Sequence, residues 1–379
     1  MQIFHNLNVN WMGKRRFFYS TSAVIILAGL LNIAFRGLNF GLDFKGGTEL
    51  DLKFDKPVNI TEMRSTVGKL GLGNIEVKTL GDETGLLIRS ELQSIPTDLY
   101  PKVQAEIEKS IEAVLPGVPK TILANTPNSI TYQFQNPDTT SLIAEKLFVA
   151  GWQAGKVSED VNNLDVIVRI GIADWIKLNL KTLVKDNSFQ IRREERVGPK
   201  VGDELKRDAV IAIALALVGI LIYLGFRFKF LFASGAVAAL FHDVLVTLGL
   251  YSILYGVIPG LNLDIDLTVV AAFLTLIGYS INDTVIVFDR VRETIRIHKN
   301  KDLEQLMNEA VNKTMSRTIL TGGTTLLGVI VILILGGEVI RAFAFTMIIG
   351  IIAGTYSSIF VASALVLDYA KKYNRKVEF

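Results

Sequence analysis

The apolar run from Leu267 to Phe288 decides how this chain folds, and its inner half reads Gly278-Tyr279-Ser280-Ile281-Asn282-Asp283-Thr284-Val285-Ile286-Val287-Phe288. The run is long enough to cross a bilayer as one helix, yet it carries an acid where hydrocarbon is expected. Thr275, Tyr279, Asn282 and Asp283 follow helical spacing, which predicts a single polar stripe turned from lipid toward other helices or water. A carboxylate at that depth is tolerated only if it is paired, hydrated or protonated part of the time. Desolvation favours the neutral acid, so Asp283 can take up and release a proton. It can equally tie helices together by hydrogen bonds, and the residues alone leave both readings open.

The rest of the chain sets the context. It has 379 residues, half of them hydrophobic and a fifth charged, which describes an integral membrane protein with a sizeable part outside the bilayer. A net charge of +3 gives no basic footprint for nucleic acid. The absence of cysteine excludes disulfides, thiol catalysis and thiolate metal sites. His5, His242 and His298 have no metal-ligand spacing, so no metal is expected.

Lys14, Arg15 and Arg16 precede an apolar run from Phe17 to about Phe35 that is long and lacks a small-residue cleavage site, so it reads as a retained first span. Further runs fit helices near Asp208–Phe226, Phe230–Tyr255, Leu267–Phe288, Thr318–Leu335 and Ala342–Leu367, giving a polytopic α-helical membrane protein with six transmembrane helices. Arg227 with Lys229, Arg290 to Arg317, and Lys371 to Lys376 fall at alternate turns, which predicts cytosolic termini. The expected layout is therefore a cytosolic N-terminus and first helix over 1–36, an extracytoplasmic α+β domain over 37–207, and a five-helix domain over 208–379. Leu303, Leu306, Met307, Ala310 and Val311 form an apolar face behind a capping Asp302. They predict an amphipathic helix over 302–314, on the cytosolic membrane surface or packed on the bundle.

The domain between the first two spans contains a repeat. Residues 50–90 and 130–170 align without gaps at a fixed shift, pairing Phe54 with Phe134, Pro57 with Pro137, Gly71 with Gly151 and Arg89 with Arg169. Each copy reads as strand, helix, strand, strand, which predicts a duplicated, ferredoxin-like α+β unit with helices on one face of an antiparallel sheet. No catalytic pattern stands out in it.

Two further polar groups lie in the spans. His242-Asp243 falls about 16 Å from the cytosolic end of the third span at helical rise, and reads as an accessory proton relay with Asn282 or as a packing pair. Arg317, Thr321, Thr324 and Gly328 make a stripe on the fifth span, and Asp283 lies about 9 Å inward of Asp289 on the fourth. A snorkelling Arg317 can thus reach the acid as its counter-charge.

Gly278 to Glu293, which includes Asp289-Arg290, resembles the fourth-span signature of the SecF subunits in the SecD/SecF family of protein translocases. The likeness extends to Gly41-Leu42-Asp43-Phe44-Lys45-Gly46-Gly47-Thr48, to Val197-Gly198-Pro199-Lys200-Val201-Gly202, to His242-Asp243, and to Ser316-Arg317-Thr318 with Thr324-Thr325-Leu326-Leu327. The resemblance implies a six-span half-transporter of the bacterial inner membrane, related to resistance-nodulation-division exporters. It implies SecD, the SecY/SecE/SecG channel, YajC and an unfolded preprotein as partners, with no cofactor but the proton motive force and no catalytic reaction of its own. Asp283 is then the proton-titrating acid and Arg317 its regulating partner. The doubled domain departs from the length expected of the family, and Thr321-Gly322-Gly323-Thr324 from its usual serine before the glycine. A proton-driven exporter of lipids or small molecules is the alternative. An intramembrane hydrolase using Asp283 with Asp243 or His242 lacks a paired motif of known spacing.

Overall fold

The computed structural model describes residues 7–184, 186–258, 261–298 and 301–373. His5 and the basic residues beyond 373 lie outside the described residues. In chain order, helix α1 (Arg15–Arg36) leads through a short turn, α2 (Leu42–Lys45), to strand β1 (Gly47–Phe54), then α3 (Ile60–Gly68), β2 (Ile75–Thr79), β3 (Gly85–Ser90) and α4 (Tyr100–Val114). There follow β4 (Lys120–Thr126), β5 (Ser129–Phe134), α5 (Pro137–Val149), β6 (Gln153–Lys156), β7 (Asp165–Arg169), α6 (Ile172–Leu183) and β8 (Phe189–Val197). The chain then runs through α7 (Pro199–Arg227), α8 (Phe230–Leu254), α9 (Leu267–Ile297), α10 (Leu303–Leu335), α11 (Glu338–Ser357), a π-helical turn (Ser358–Ser363) and α12 (Ala364–Lys372). Two compact units result: Leu42–Asp203, and Met1–Gly41 with Glu204–Phe379.

The first unit holds two four-stranded antiparallel sheets, ordered β2-β3-β1-β8 and β4-β5-β7-β6. In each, the first strand of a repeat copy pairs with the third and the third with the second, while the fourth strand is borrowed from outside the copy. Those borrowed strands, β4 and β8, escape the sequence pattern because they are edge strands: β4 is almost wholly exposed and β8 reads Phe-Gln-Ile-Arg-Arg-Glu-Glu-Arg-Val. The two halves are interleaved. Helix α6 follows the second copy yet packs on β1 and α3 of the first, where the Trp175 indole N–H donates to the Leu70 carbonyl at 3.2 Å. Helix α4 follows the first copy yet packs on α5 of the second, where Ser110 accepts from the Trp152 indole at 3.1 Å. One core, with Phe54, Phe134, Tyr132, Leu147 and Leu180 fully buried, runs through both halves. Asn59 and Asn136 cap α3 and α5 by accepting from backbone N–H groups of the first turn.

The Gly46-Gly47 pair has a geometric cause. Both take positive φ, and a Cβ on Gly47 would stand 2.2 Å from the Ser90 carbonyl oxygen, so only glycine lets β1 enter beside β3. Thr48 is buried in the β1 ladder opposite Ser90, and Asp43 sits in the α2 turn just before the glycines. These signature residues build a chain joint in this unit, as does Gly41 in the other, where its N–H donates to the Ile265 carbonyl at 2.7 Å.

Among the described residues, the second unit carries six helices long and apolar enough to cross a membrane. Helices α8, α9 and the last span make its interior; α1 lies on α8, and α10 on α9 and α11. Helix α7 joins the core near its C-terminus through Leu224 and is otherwise broadly exposed, as with Val210, Leu215 and Phe226. Close crossings use small residues, as where Gly29 of α1 meets Gly249 of α8 backbone to backbone. The helix ends that carry the basic loops meet at one end of the unit: Arg15 pairs with Asp368 at 2.8 Å, Arg227 with Asp289 at 3.1 Å, and Lys371 with Glu304. The expected helix over 302–314 is not a separate element. Asp302 caps it as anticipated, but it runs unbroken into the fifth span as α10, because no residue between 303 and 335 is a proline and its Met307, Ala310 and Val311 bury against the same core as α9.

Candidate functional site

Helix α9 positions the central acid. Asp266 caps its first turn, accepting from the Val269 N–H at 2.9 Å, and four turns later Asp283 is 2 % exposed. The close approach of α11 follows from Gly354, where a Cβ would lie 2.9 Å from that of Ser280. This approach brings Thr355 beside the Asp283 carboxyl, whose Oδ2 is buried with no hydrogen-bond partner. Tyr279 OH and Thr318 Oγ1 are likewise buried without a bond. Three buried polar atoms of α9 and α10 thus keep hydrogen-bonding capacity to spare.

The expected single stripe divides. Successive helical residues point about 100° apart, so Asn282 and Asp283 cannot share one direction. Asp283 turns into the bundle, while Ala271, Thr275, Gly278 and Asn282 form an exposed face of α9. Asn282 therefore stands apart from the buried polar groups. On α10, Arg317, Thr324 and Gly328 are exposed on one side, and Thr321 is half-buried. Arg317 interacts electrostatically with Asp283 but makes no ion pair with it. It edges a groove of about 420 Å³ lined by Asp289, Arg290, Glu293, Lys313 and Thr314. Asp289 is engaged by Arg227, and Arg290 by Glu293, so these two signature residues close the end of the bundle and do not touch Asp283.

His242 and Asp243 on α8 do come together with partners from three other helices. His242 Nδ1 lies 3.0 Å from Asp243 Oδ1, and Nε2 lies 2.8 Å from Ser22 Oγ on α1. Asp243 Oδ2 accepts from Ser280 Oγ on α9 at 2.6 Å and from Ser357 Oγ on α11 at 2.8 Å. Ser22 Oγ is 2.6 Å from Tyr356 OH, which donates to the Phe18 carbonyl at 2.7 Å and stacks on the imidazole. Ser280, which donates to Asp243, sits one turn before Asp283 on α9, so this network reaches the turn next to the central acid. Sequence reasoning passed over Ser22, Ser280, Thr355, Tyr356 and Ser357. Their signal was hydroxyls clustered in otherwise apolar spans, above all Thr355-Tyr356-Ser357-Ser358 leading into the π-helical turn. Among the described residues no group of three or more His, Asp or Glu side chains could hold a metal ion.

Residues 165–372 match the family model for the C-terminal region of SecD/SecF protein export membrane proteins, and residues 32–58 that for the SecD/SecF GG motif. The chain is 36% identical to a protein translocase subunit SecF of Calditerrivibrio nitroreducens over 95% of its length and 93% of the relative's. It is 33% identical to that of Vibrio alginolyticus over 91% of its length and 85% of the relative's. Such coverage means that the enlarged domain, expected as a departure, is shared with these relatives. The solved structure of SecDF, a translocon-associated membrane protein from Thermus thermophilus, superimposes with a TM-score of 0.65 at 26% identity over 98% of this chain. This chain spans 39% of that one.

Proposed function

Because this chain belongs to the SecF family of protein translocase subunits, we propose that it couples the proton motive force to movement of exported polypeptide, as one half of an assembly with SecD. The observation that carries this reading is Asp283, a buried carboxyl within a membrane span with one oxygen unpartnered, in electrostatic reach of an exposed Arg317. Protonation from one side and release to the other alters its attraction to Arg317 and biases two arrangements of α9, α10 and α11. No cofactor beyond the proton gradient is required, and the subunit needs no bond-making reaction of its own. Basic helix ends gathered at one end favour cytosolic termini and an extracytoplasmic inter-span domain, in a bacterial inner membrane. SecY/SecE/SecG and YajC are the proposed neighbours that deliver the preprotein.

The exposed face Thr275, Gly278 and Asn282 suits a second helical bundle, since polar and small residues pack better against protein than against lipid. The chain has no cysteine, so Asn282→Cys gives a single probe. It is expected to cross-link to SecD in native membranes, whereas a cysteine at Phe226 on the outer side of α7 is not. The function itself is tested by pulse-chase in cells depleted of this chain. Maturation of secreted preproteins is expected to slow several-fold, and unchanged maturation would remove the export reading.

A further inference from the structure

We propose that the His242–Asp243 pair is a second proton-binding site, charge-neutral in this structure, that holds one proton between Nδ1 and Oδ1 while Nε2 carries another. The assignment follows from counting donors along the hydroxyl chain. A carbonyl cannot donate, so Tyr356 spends its only hydroxyl proton on the Phe18 oxygen. The Ser22–Tyr356 contact at 2.6 Å must then be made by the Ser22 proton. With its proton committed, Ser22 can only accept at the 2.8 Å contact with His242, so Nε2 bears a hydrogen. At the other end, Asp243 Oδ2 accepts from Ser280 at 2.6 Å and from Ser357 at 2.8 Å, the shorter of the two contacts open to the single Ser357 proton, since the Gly354 carbonyl lies at 3.2 Å. The 3.0 Å contact between Nδ1 and Oδ1 therefore needs one more proton, on either atom.

Loss of that proton has a mechanical consequence. A bare Nδ1 and a carboxylate oxygen would face each other at contact distance, so the pair must part. Parting strains the bonds to Ser280 and Ser357, or else turns the imidazole and breaks its Nε2 bond to Ser22. Occupancy of the site is thereby tied to the packing of α8 against α1, α9 and α11. The chain toward α1 ends on the Phe18 carbonyl, which cannot take a proton onward. Exchange therefore runs on the Asp243 side, through hydroxyls beside Asp283. The groups facing the pair are Ser22 from α1, Tyr356 and Ser357 from α11, and Ser280 from α9, with Asp283 the nearest acid of α9. Among the described residues no lysine or arginine bonds to it. The protonation assignment stands on this geometry alone; its use in energy coupling rests on the proton-driven reading above.

The test is nitrogen NMR of the full chain with 15N-histidine in lipid bilayers, with the His242 signals identified by their loss in His242→Gln. At pH 7 Nε2 is expected to appear as an N–H. In Tyr356→Phe the Ser22 hydroxyl is freed to donate to the ring, and Nε2 is expected to appear without its hydrogen. A wild-type Nε2 lacking hydrogen, or one unchanged by Tyr356→Phe, would overturn the proposal. In translocation vesicles His242→Gln is expected to lose most of the gradient-dependent rate, and a full rate would refute the coupling role. The spectrum decides the assignment even if translocation proves independent of the gradient.

Discussion

Glu49→Ala is expected to destabilise the inter-span domain by about 3–5 kcal/mol, the cost of leaving a buried charge without its partner. Glu49 lies on β1 with its side chain 3% exposed. Its Oε2 accepts from Arg89 Nε at 2.9 Å and Nη2 at 2.6 Å, and its Oε1 from Arg193 Nη2 at 2.6 Å, so one carboxylate ties β1 to both neighbouring strands. Arg89 is also nearly buried, and removing the acid takes from its desolvated guanidinium the two short bonds to Glu49, while the half-exposed Glu76 stays at 3.3 Å. Trp152 and Trp175 are both buried in this unit, so their fluorescence during urea unfolding of the full chain reports the loss. The double variant Glu49→Ala with Arg89→Met is expected to recover part of it, because removing both charges of a buried pair costs less than removing one. A loss below about 1 kcal/mol would place the triad among ordinary surface ion pairs.

Asp283→Asn carries the other large effect. Asparagine keeps the size of the side chain, so the α9–α11 crossing at Gly354 and Ser280 is expected to stand. The variant removes the exchangeable proton and the charge that Arg317 senses. One proton falling through about 100 mV supplies roughly 2.3 kcal/mol, enough to shift a two-state ratio more than tenfold. The variant is therefore expected to assemble and to retain ATP-driven translocation while losing the whole contribution of the gradient.

The spans were legible because hydropathy and length alone define a membrane helix, and the alternating basic loops forecast which helix ends meet. Within the inter-span domain, Phe54 with Phe134 and Gly71 with Gly151 marked equivalent strands and turns, and both glycines take positive φ. The interleaving was not legible. Periodicity reports which face of α4 or α6 is apolar, but not whose sheet that face covers. Likewise, spacing placed Asp283 and Asn282 in the right span yet could not separate them by depth, since the helical angle between neighbours matters only once the packing direction is known. His242 and Asp243 were visible as polar residues in an apolar run. Their partners were not, because Ser22 and Tyr356 are separated from them by long stretches of chain and are ordinary residues until folding brings four helices to one place.

The central claim is tested most directly by following preprotein translocation into inverted membrane vesicles depleted of this chain and resupplied with wild type or Asp283→Asn at equal levels. Translocation is started with ATP, ATP is removed, and completion is timed with and without a proton gradient. The account predicts that the gradient accelerates completion with wild type and has no effect with the variant. Equal acceleration in both would contradict it, leaving Asp283 a hydrogen-bonding tie between α9 and α11.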